Sequence, residues 1–265
     1  MRLLVPVVPD PRAPLAGTNP LARIGAAAIL MGFGFAAVDG VTALLILAAV
    51  LVAVPLTGLS PATMLRRAWP LLVAAVAIGL LNALFGEPRG AVLVQLGPVA
   101  VHAGSLASGA ALGVRILGIA TAGLVALASV DPTALADGLV QELHVSPRFA
   151  LGALAALRLM PLLADEWQFL GLARRARGVT AGSPMGWLRL QGSRLMALLV
   201  SAIRRATRLA LAMEARGLGG AGGRTVARPQ RMARRDWLLL LAALLVGAGA
   251  TAISLAAGTY RPLFG

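Results

Sequence analysis

Five apolar runs, at residues 21–38, 41–56, 70–85, 105–130 and 237–255, approach the length needed to cross a membrane. At about 1.5 Å of helix per residue, roughly twenty residues traverse the ~30 Å of hydrocarbon in a bilayer. A chain of 265 residues that is 58% hydrophobic and 13% charged, with a mean hydropathy of +0.84, does not have the composition of a soluble domain. Within lipid every backbone amide and carbonyl needs a partner inside the protein, and a helix provides those partners within one segment. The sequence therefore predicts an all-α integral membrane protein with about five transmembrane helices. Asp39-Gly40 alone separates the first two runs, a turn signal that makes them an antiparallel hairpin.

Arginine fixes the expected orientation. The net charge is +14, and every basic residue apart from the two histidines is arginine. Arg2, Arg12 and Arg23 precede or open the first run, Arg66 and Arg67 lie between the second and third, and sixteen arginines fall between Asp131 and Arg235. Arg89 and Arg261 belong to the opposite side, and Arg115 falls within the fourth run. Basic residues concentrate on the cytoplasmic side of membrane proteins, so a multi-pass protein of the cell membrane is expected, with its N-terminus and large basic segment cytosolic. Pro6, Pro9, Pro11, Pro14 and Pro20, with Asp10, interrupt the apolar core that a cleavable signal would need, which makes the opening stretch a cytosolic lead-in. Three regions follow: 1–130 with the lead-in and four spans, 131–235 on the cytosolic side, and 236–265 with the last span and an outer tail.

The residue inventory excludes several chemistries. Without lysine the chain has no phosphate-binding P-loop and no Schiff-base lysine, and without cysteine it has no disulfide and no thiolate metal site. His102 and His144 alone do not make a metal cluster. The basic charge follows the membrane topology and favours anionic headgroups, with no separate soluble basic domain for nucleic acid. Gly219-Gly220-Ala221-Gly222-Gly223 lacks the lysine of a phosphate loop and reads as a connector. Arg224, Arg228, Arg231, Arg234 and Arg235 after it read as a solvated, headgroup-facing run.

The segment 131–235 carries two long helical patterns. From Gly192 to Arg216 the residues Leu195, Leu199, Ala202, Ala206, Leu209 and Met213 form one apolar stripe, and Arg194, Arg205, Arg208 and Arg216 lie along another. A bilayer-centre arginine costs about 2.5–3.5 kcal/mol on insertion scales, so Arg204, Arg205 and Arg208 favour a helix lying along the inner membrane face or packed under it. The other helix runs from about Arg148 to Arg177, with Pro147 suited to its first turn and Pro161 expected to kink it. Each helix ends in the same tripeptide, Ala176-Arg177-Gly178 and Ala215-Arg216-Gly217. Glycine suits a left-handed cap and arginine the negative end of the helix dipole. The repetition adds a second meaning: a small alanine admits a close partner, and an arginine fork reaches carboxylates in pairs.

These residues resemble the transmembrane T component of energy-coupling-factor transporters, a branch of ABC importers for vitamins and transition-metal ions. Thr18-Asn19-Pro20-Leu21-Ala22-Arg23 is similar to the family's opening signature. The stretch with Arg158, Pro161, Asp165 and Glu166, closing in Ala176-Arg177-Gly178, resembles its first coupling motif, and Glu214-Ala215-Arg216-Gly217 its second. The resemblance spans nearly the whole chain and extends to Gly113-Val114-Arg115-Ile116 and Asp131-Pro132-Thr133-Ala134-Leu135. It implies that two cytosolic ABC ATPases, using ATP and Mg, receive Arg177 and Arg216 in surface grooves, one motif per ATPase. A substrate-binding membrane subunit, the S component, captures the solute. This chain is then a non-catalytic link that binds no cofactor itself.

Other features have two readings. Ser105, Gly109 and Gly113 make a small-xxx-small face suited to packing between spans or to docking another subunit. Arg115 must face the bundle interior or a polar cavity, in a structural or a functional pairing. An intramembrane serine protease using Ser105 with His102 or His144, or a phosphotransferase at Asp39-Gly40, lacks supporting motifs. A secondary transporter would bury ionisable groups in several spans, whereas these spans offer Arg115.

Overall fold

The computed structural model describes residues 12–86, 90–96, 99–179, 181–217, 226 and 228–260. The proline-rich opening at 1–11, Arg89, the connector at 219–223, Arg224 and Arg261 lie outside the described residues. The elements are α1 (Pro20–Ala36), α2 (Gly40–Leu56), α3 (Pro61–Phe85), β1 (Val92–Leu96), β2 (Val99–His102), α4 (Ala103–Ser129), α5 (Pro132–Gln141), α6 (Pro147–Ala176), α7 (Pro184–Ala215) and α8 (Arg234–Ala256). The protein is an all-α membrane protein with one small hairpin. Among the described residues four helices are long and apolar enough to cross a membrane: α3, α4, α6 and α8. The 17-residue α1 and α2 are also apolar but rise only about 25 Å.

Two helix starts differ from the sequence expectation, for one reason. The third run was expected to begin at Pro70, but Ser60 caps the amide of Thr63 at 3.3 Å and Pro61 takes the first helical position. Arg66 and Arg67 are therefore helical residues of α3 and not part of a loop. At α7 Ser183 accepts from Gly186 N at 3.1 Å ahead of Pro184, so the helix begins before the expected Gly192. A hydroxyl residue followed by proline is an N-cap followed by N1, where the missing amide costs nothing. Two elements were not expected at all, α5 and the antiparallel hairpin of β1 and β2, which pairs Val94 with Val101 and Leu96 with Val99.

The helices fall into two compact units. The first, Met1–Asp131 with Arg231–Gly265, holds α1 to α4, the hairpin and α8. Gly40 meets Ala111, and Gly118 meets Ala43 and Leu47, so α2 runs alongside α4 in the same direction. Arg23 near the start of α1 reaches Ser129, and Arg115 reaches the far end of α1, so α1 runs opposite to both. The hairpin of α1 and α2 is thus antiparallel, but it is splayed, since each helix packs mainly on α4 and α8. Ile46, Val50, Val54, Leu59, Met64, Ala122, Val125 and Ala250 form the core.

Gly79 lies against Gly109, where an added Cβ would come within 2.8 Å of the Gly109 carbonyl, and one on Gly113 would come within 3.0 Å of the Ala75 carbonyl. The small-residue face of α4 therefore packs on α3 within this chain, as helices do when backbones approach closely in lipid. The second unit, Pro132–Gln230, contains α5, α6 and α7. Its small core is Ala136 of α5 with Ala150 and Leu154 of α6. Gln141 ties the chain returning toward α8 to α5, donating to Arg228 O at 2.9 Å and accepting from Gln230 N at 2.8 Å.

Candidate functional site

The two repeated tripeptides close α6 and α7 with nearly superimposable backbones. Arg177 has φ −89° and ψ 10°, and Arg216 has φ −88° and ψ 10°. The next residue in each case turns left-handed, Gly178 at φ +69° and Gly217 at φ +81°. At α6 the Gly178 amide donates to Arg175 O at 3.0 Å and the Val179 amide to Arg174 O at 3.0 Å, the two bonds of a Schellman cap. At α7 the Gly217 amide donates to Glu214 O at 2.9 Å. Among the described residues no atom beyond the chain neighbours lies within 4 Å of where a Cβ would stand on either glycine, so the left-handed backbone is what demands glycine there.

Ala176, Arg177, Gly178, Ala215, Arg216 and Gly217 are all exposed. Among the described residues neither the Arg177 nor the Arg216 guanidinium has a hydrogen-bond or ion-pair partner. A helix end of this kind offers a cation on a rigid post, with small residues before and after it that leave room for an approaching surface.

The posts are joined by a set of contacts that the sequence reading did not find. Arg194 of α7 lies with its guanidinium carbon 4.3 Å from the centroid of the Trp167 ring on α6. It also donates to the Trp167 carbonyl at 2.7 Å and to Gln191 Oε1 at 2.9 Å. Gly171, one turn after Trp167, leaves the space the guanidinium occupies, since a Cβ there would stand 2.6 Å from Arg194 Nη2. Arg174 donates to Leu190 O at 3.0 Å and Ser193 Oγ at 2.6 Å, and Arg205 pairs with Glu166 at 3.4 Å.

The order 174 with 190, 167 with 194 and 166 with 205 makes the helices antiparallel, so Arg177 and Arg216 stand at opposite ends of the pair. From Leu190 to Arg216 the separation along α7 is on the order of 40 Å. Arg194 and Arg205, which the sequence reading placed together on a second stripe of this helix, therefore face α6. An aromatic residue one turn before a glycine, opposite an arginine, was the signal available. The apolar stripe of α7 is open: Leu195 and Leu199 are at least half exposed, and α7 buries no residue.

The remaining site residues take structural positions within the second unit. Arg158 donates to Thr133 Oγ1 of α5 at 3.1 Å, Pro161 sits inside α6, and Glu214 supplies the carbonyl that accepts from Gly217. In the first unit, Asn19 caps α1 by accepting from Leu21 N at 2.9 Å. Its backbone amide donates at 2.7 Å to the buried carboxylate of Asp236, whose other oxygen accepts from Ala233 N at 2.7 Å. Arg23 donates to Thr18 Oγ1, Thr18 O, Ala16 O and Ser129 O. Arg115 donates to Gly34 O at 2.8 Å and to Phe35 O, and lies 5.5 Å from the Phe35 ring centroid. It satisfies the open carbonyls that end α1, which is a structural pairing. His102 and Ser105 form a reciprocal cap at the start of α4. Among the described residues no group of three or more His, Asp or Glu could hold a metal ion.

Residues 13–226 match the family model described as cobalt transport protein, CbiQ. The chain is 34% identical over 204 residues to the energy-coupling factor transporter transmembrane protein EcfT of Heliobacterium modesticaldum, covering 73% of this chain and 75% of that protein. It is 33% identical over 232 residues to the protein of the same name from Listeria innocua, covering 84% and 87%. With that of Thermanaerovibrio acidaminovorans it shares 36% identity over 197 residues, covering 70% and 71%.

Proposed function

The chain belongs to the cobalt transport protein family and is a transmembrane component of the energy-coupling-factor type, and from that premise we propose that it couples two cytosolic ABC ATPases to a substrate-binding membrane subunit. The observation that carries this reading is the pair of closely similar helix ends, each presenting an exposed arginine that has no partner among the described residues, ahead of a left-handed glycine. One such end is explained by helix capping. Two, held at opposite ends of one braced helix pair, suit two separate binding grooves on a two-part motor. Acidic grooves are the matching chemistry, since a guanidinium fork bonds a carboxylate in two places.

The mechanical logic follows from the bracing. When the ATPases close around ATP and Mg and reopen after hydrolysis, both arginine posts are carried with them. Because Arg194, Arg174 and the Arg205–Glu166 pair lock α6 to α7, relative motion of the posts reorients the helix pair as a body. The open apolar faces of α6 and α7 lie along the inner membrane surface and against the substrate-binding subunit, which chooses the solute, a vitamin or a transition-metal ion. The sixteen arginines between Asp131 and Arg235 hold this region on the cytosolic side.

The test is association. The tagged chain, extracted gently from its own host, is expected to bring down a pair of ABC ATPases and a further small membrane protein, and the complex to hydrolyse ATP. A chain that purifies alone after mild extraction, and still transports solute when reconstituted alone, overturns the coupling role.

A further inference from the structure

Between α1, α2, α4 and α8 lies a cavity of about 470 Å³ inside the first unit. It exists because α1 and α2 splay apart and because small residues such as Ala27, Ala53, Ala126 and Ala242 line the gap. Val52 and Leu238 on its rim are more than half exposed, so it opens to the lipid-facing side of the bundle. Its walls are almost wholly apolar, and its polar lining gathers at one end, the end at which α1 and α8 begin. Two arginines stand there. Arg23 is occupied by four protein oxygens. Arg235 packs its guanidinium against Gly17, where a Cβ would stand 2.9 Å from Nη1, and among the described residues it has no acceptor.

The cavity has the dimensions of one leaflet. From Arg235 to Val246, both on its wall, α8 rises about 16 Å, half of a hydrocarbon core roughly 30 Å thick. An apolar slot reaching from the interface to the bilayer midplane, with an uncommitted cation at its mouth, is complementary to an amphiphile with a negative head. We infer that the cavity binds one anionic phospholipid, with its phosphate at Arg235 and an acyl chain between α1, α2 and α8. The lipid fills the gap left by the splayed hairpin and ties α8 to α1 and α2 beside the Asn19–Asp236 junction. This site stands on the membrane fold alone, so it survives or fails independently of the ATPase-coupling role.

Native mass spectrometry of the full-length chain, released from micelles holding equal amounts of phosphatidylglycerol and phosphatidylcholine with the same acyl chains, tests the assignment. One phosphatidylglycerol is expected to remain bound with at least about fivefold preference, the contribution of one arginine near a headgroup. Arg235→Ala is expected to bring the two lipids to parity, whereas Arg234→Ala, which removes the same charge one residue away from the lining, keeps the preference. Ala242→Trp and, as a second filler, Val52→Trp are expected to lose retention of both lipids, while excess inorganic phosphate displaces neither. Equal retention of the two lipids by the unsubstituted chain overturns the inference, as does equal loss in Arg234→Ala and Arg235→Ala. Retention unchanged in both filled variants, displacement by phosphate, or a dimer that excludes lipid does so too.

Discussion

Arg194 and Trp167 meet across the two arms of the second unit, with the guanidinium carbon 4.3 Å from the ring centroid and a 2.7 Å bond to the Trp167 carbonyl. This contact fixes how the helix that ends at Arg177 lies against the helix that ends at Arg216. A cation stacked on an aromatic face contributes about 0.5–2 kcal/mol, and a charged hydrogen bond about 1.5–3 kcal/mol.

Arg194→Ala is accordingly expected to cost about 2 kcal/mol and to lower the thermal midpoint of the detergent-solubilised chain by roughly 4–8 °C. Arg194→Lys keeps the charge but loses the planar fork, and should recover less than half of that. A lysine variant as stable as the unsubstituted chain would show that stacking and the paired donors matter little.

The caps separate backbone from charge. Gly178→Ala and Gly217→Ala place a Cβ in the left-handed region and should each cost about 1–2 kcal/mol, with asparagine tolerated better. Arg177→Glu and Arg216→Glu leave the backbone alone and are expected to change the thermal midpoint much less. Circular-dichroism melts of the four variants check this, and glycine variants that melt with the unsubstituted chain contradict it.

Asp236 holds two amides, Asn19 N and Ala233 N, while only 1% exposed. Asp236→Ala strands both donors and is expected to cost about 3 kcal/mol or more, seen as a collapse in folded yield. Asp236→Asn retains one acceptor and should restore part of the yield. Full yield from Asp236→Ala would mean that the junction of α1 with α8 does not depend on this carboxylate.

Most of the helical architecture was legible because lipid forces it: apolar runs of membrane length have few alternatives to helix. The caps are local signals: Asn19 on Leu21 N, Asp39 on Thr42 N at 2.7 Å and Ser60 on Thr63 N, and Ser60-Pro61 and Ser183-Pro184 mark helix starts that lie ahead of the apolar runs following them. The hairpin was missed although Val92 and Val94 before Gly97-Pro98, with Val99 and Val101 after, carry a β-branched pattern about a turn signal. The arginine posts were legible as a repeat. Their bracing was not, because whether Arg194 faces solvent or Trp167 depends on how two helices cross, a non-local fact. The cavity is still less accessible to sequence reasoning, since it arises from the splay of α1 from α2.

The arginine distribution predicts an orientation, and the cysteine-free chain makes it measurable. Gly182→Cys, exposed and with open space about its Cβ, should react with an impermeant thiol reagent only from the cytosolic side. Ala91→Cys, before β1, should react from outside intact cells. The reverse pattern overturns the topology.

In the proposed coupling role Arg177 and Arg216 anchor two ATPases. Leaving a buried partner charge unpaired costs about 2–5 kcal/mol, whereas losing a dipole interaction at a helix end costs about 0.3–1 kcal/mol. Anchoring and capping therefore predict different losses of affinity. The most direct measurement is the affinity of the ATPase pair for the membrane-inserted chain carrying Arg177→Glu, Arg216→Glu or both, with the exposed Arg231→Glu as a charge-matched control. Each single substitution is expected to weaken association at least tenfold, the double to abolish it together with solute uptake, and the control to do much less. Unchanged affinity and uptake in the double variant would contradict the coupling role of both helix ends.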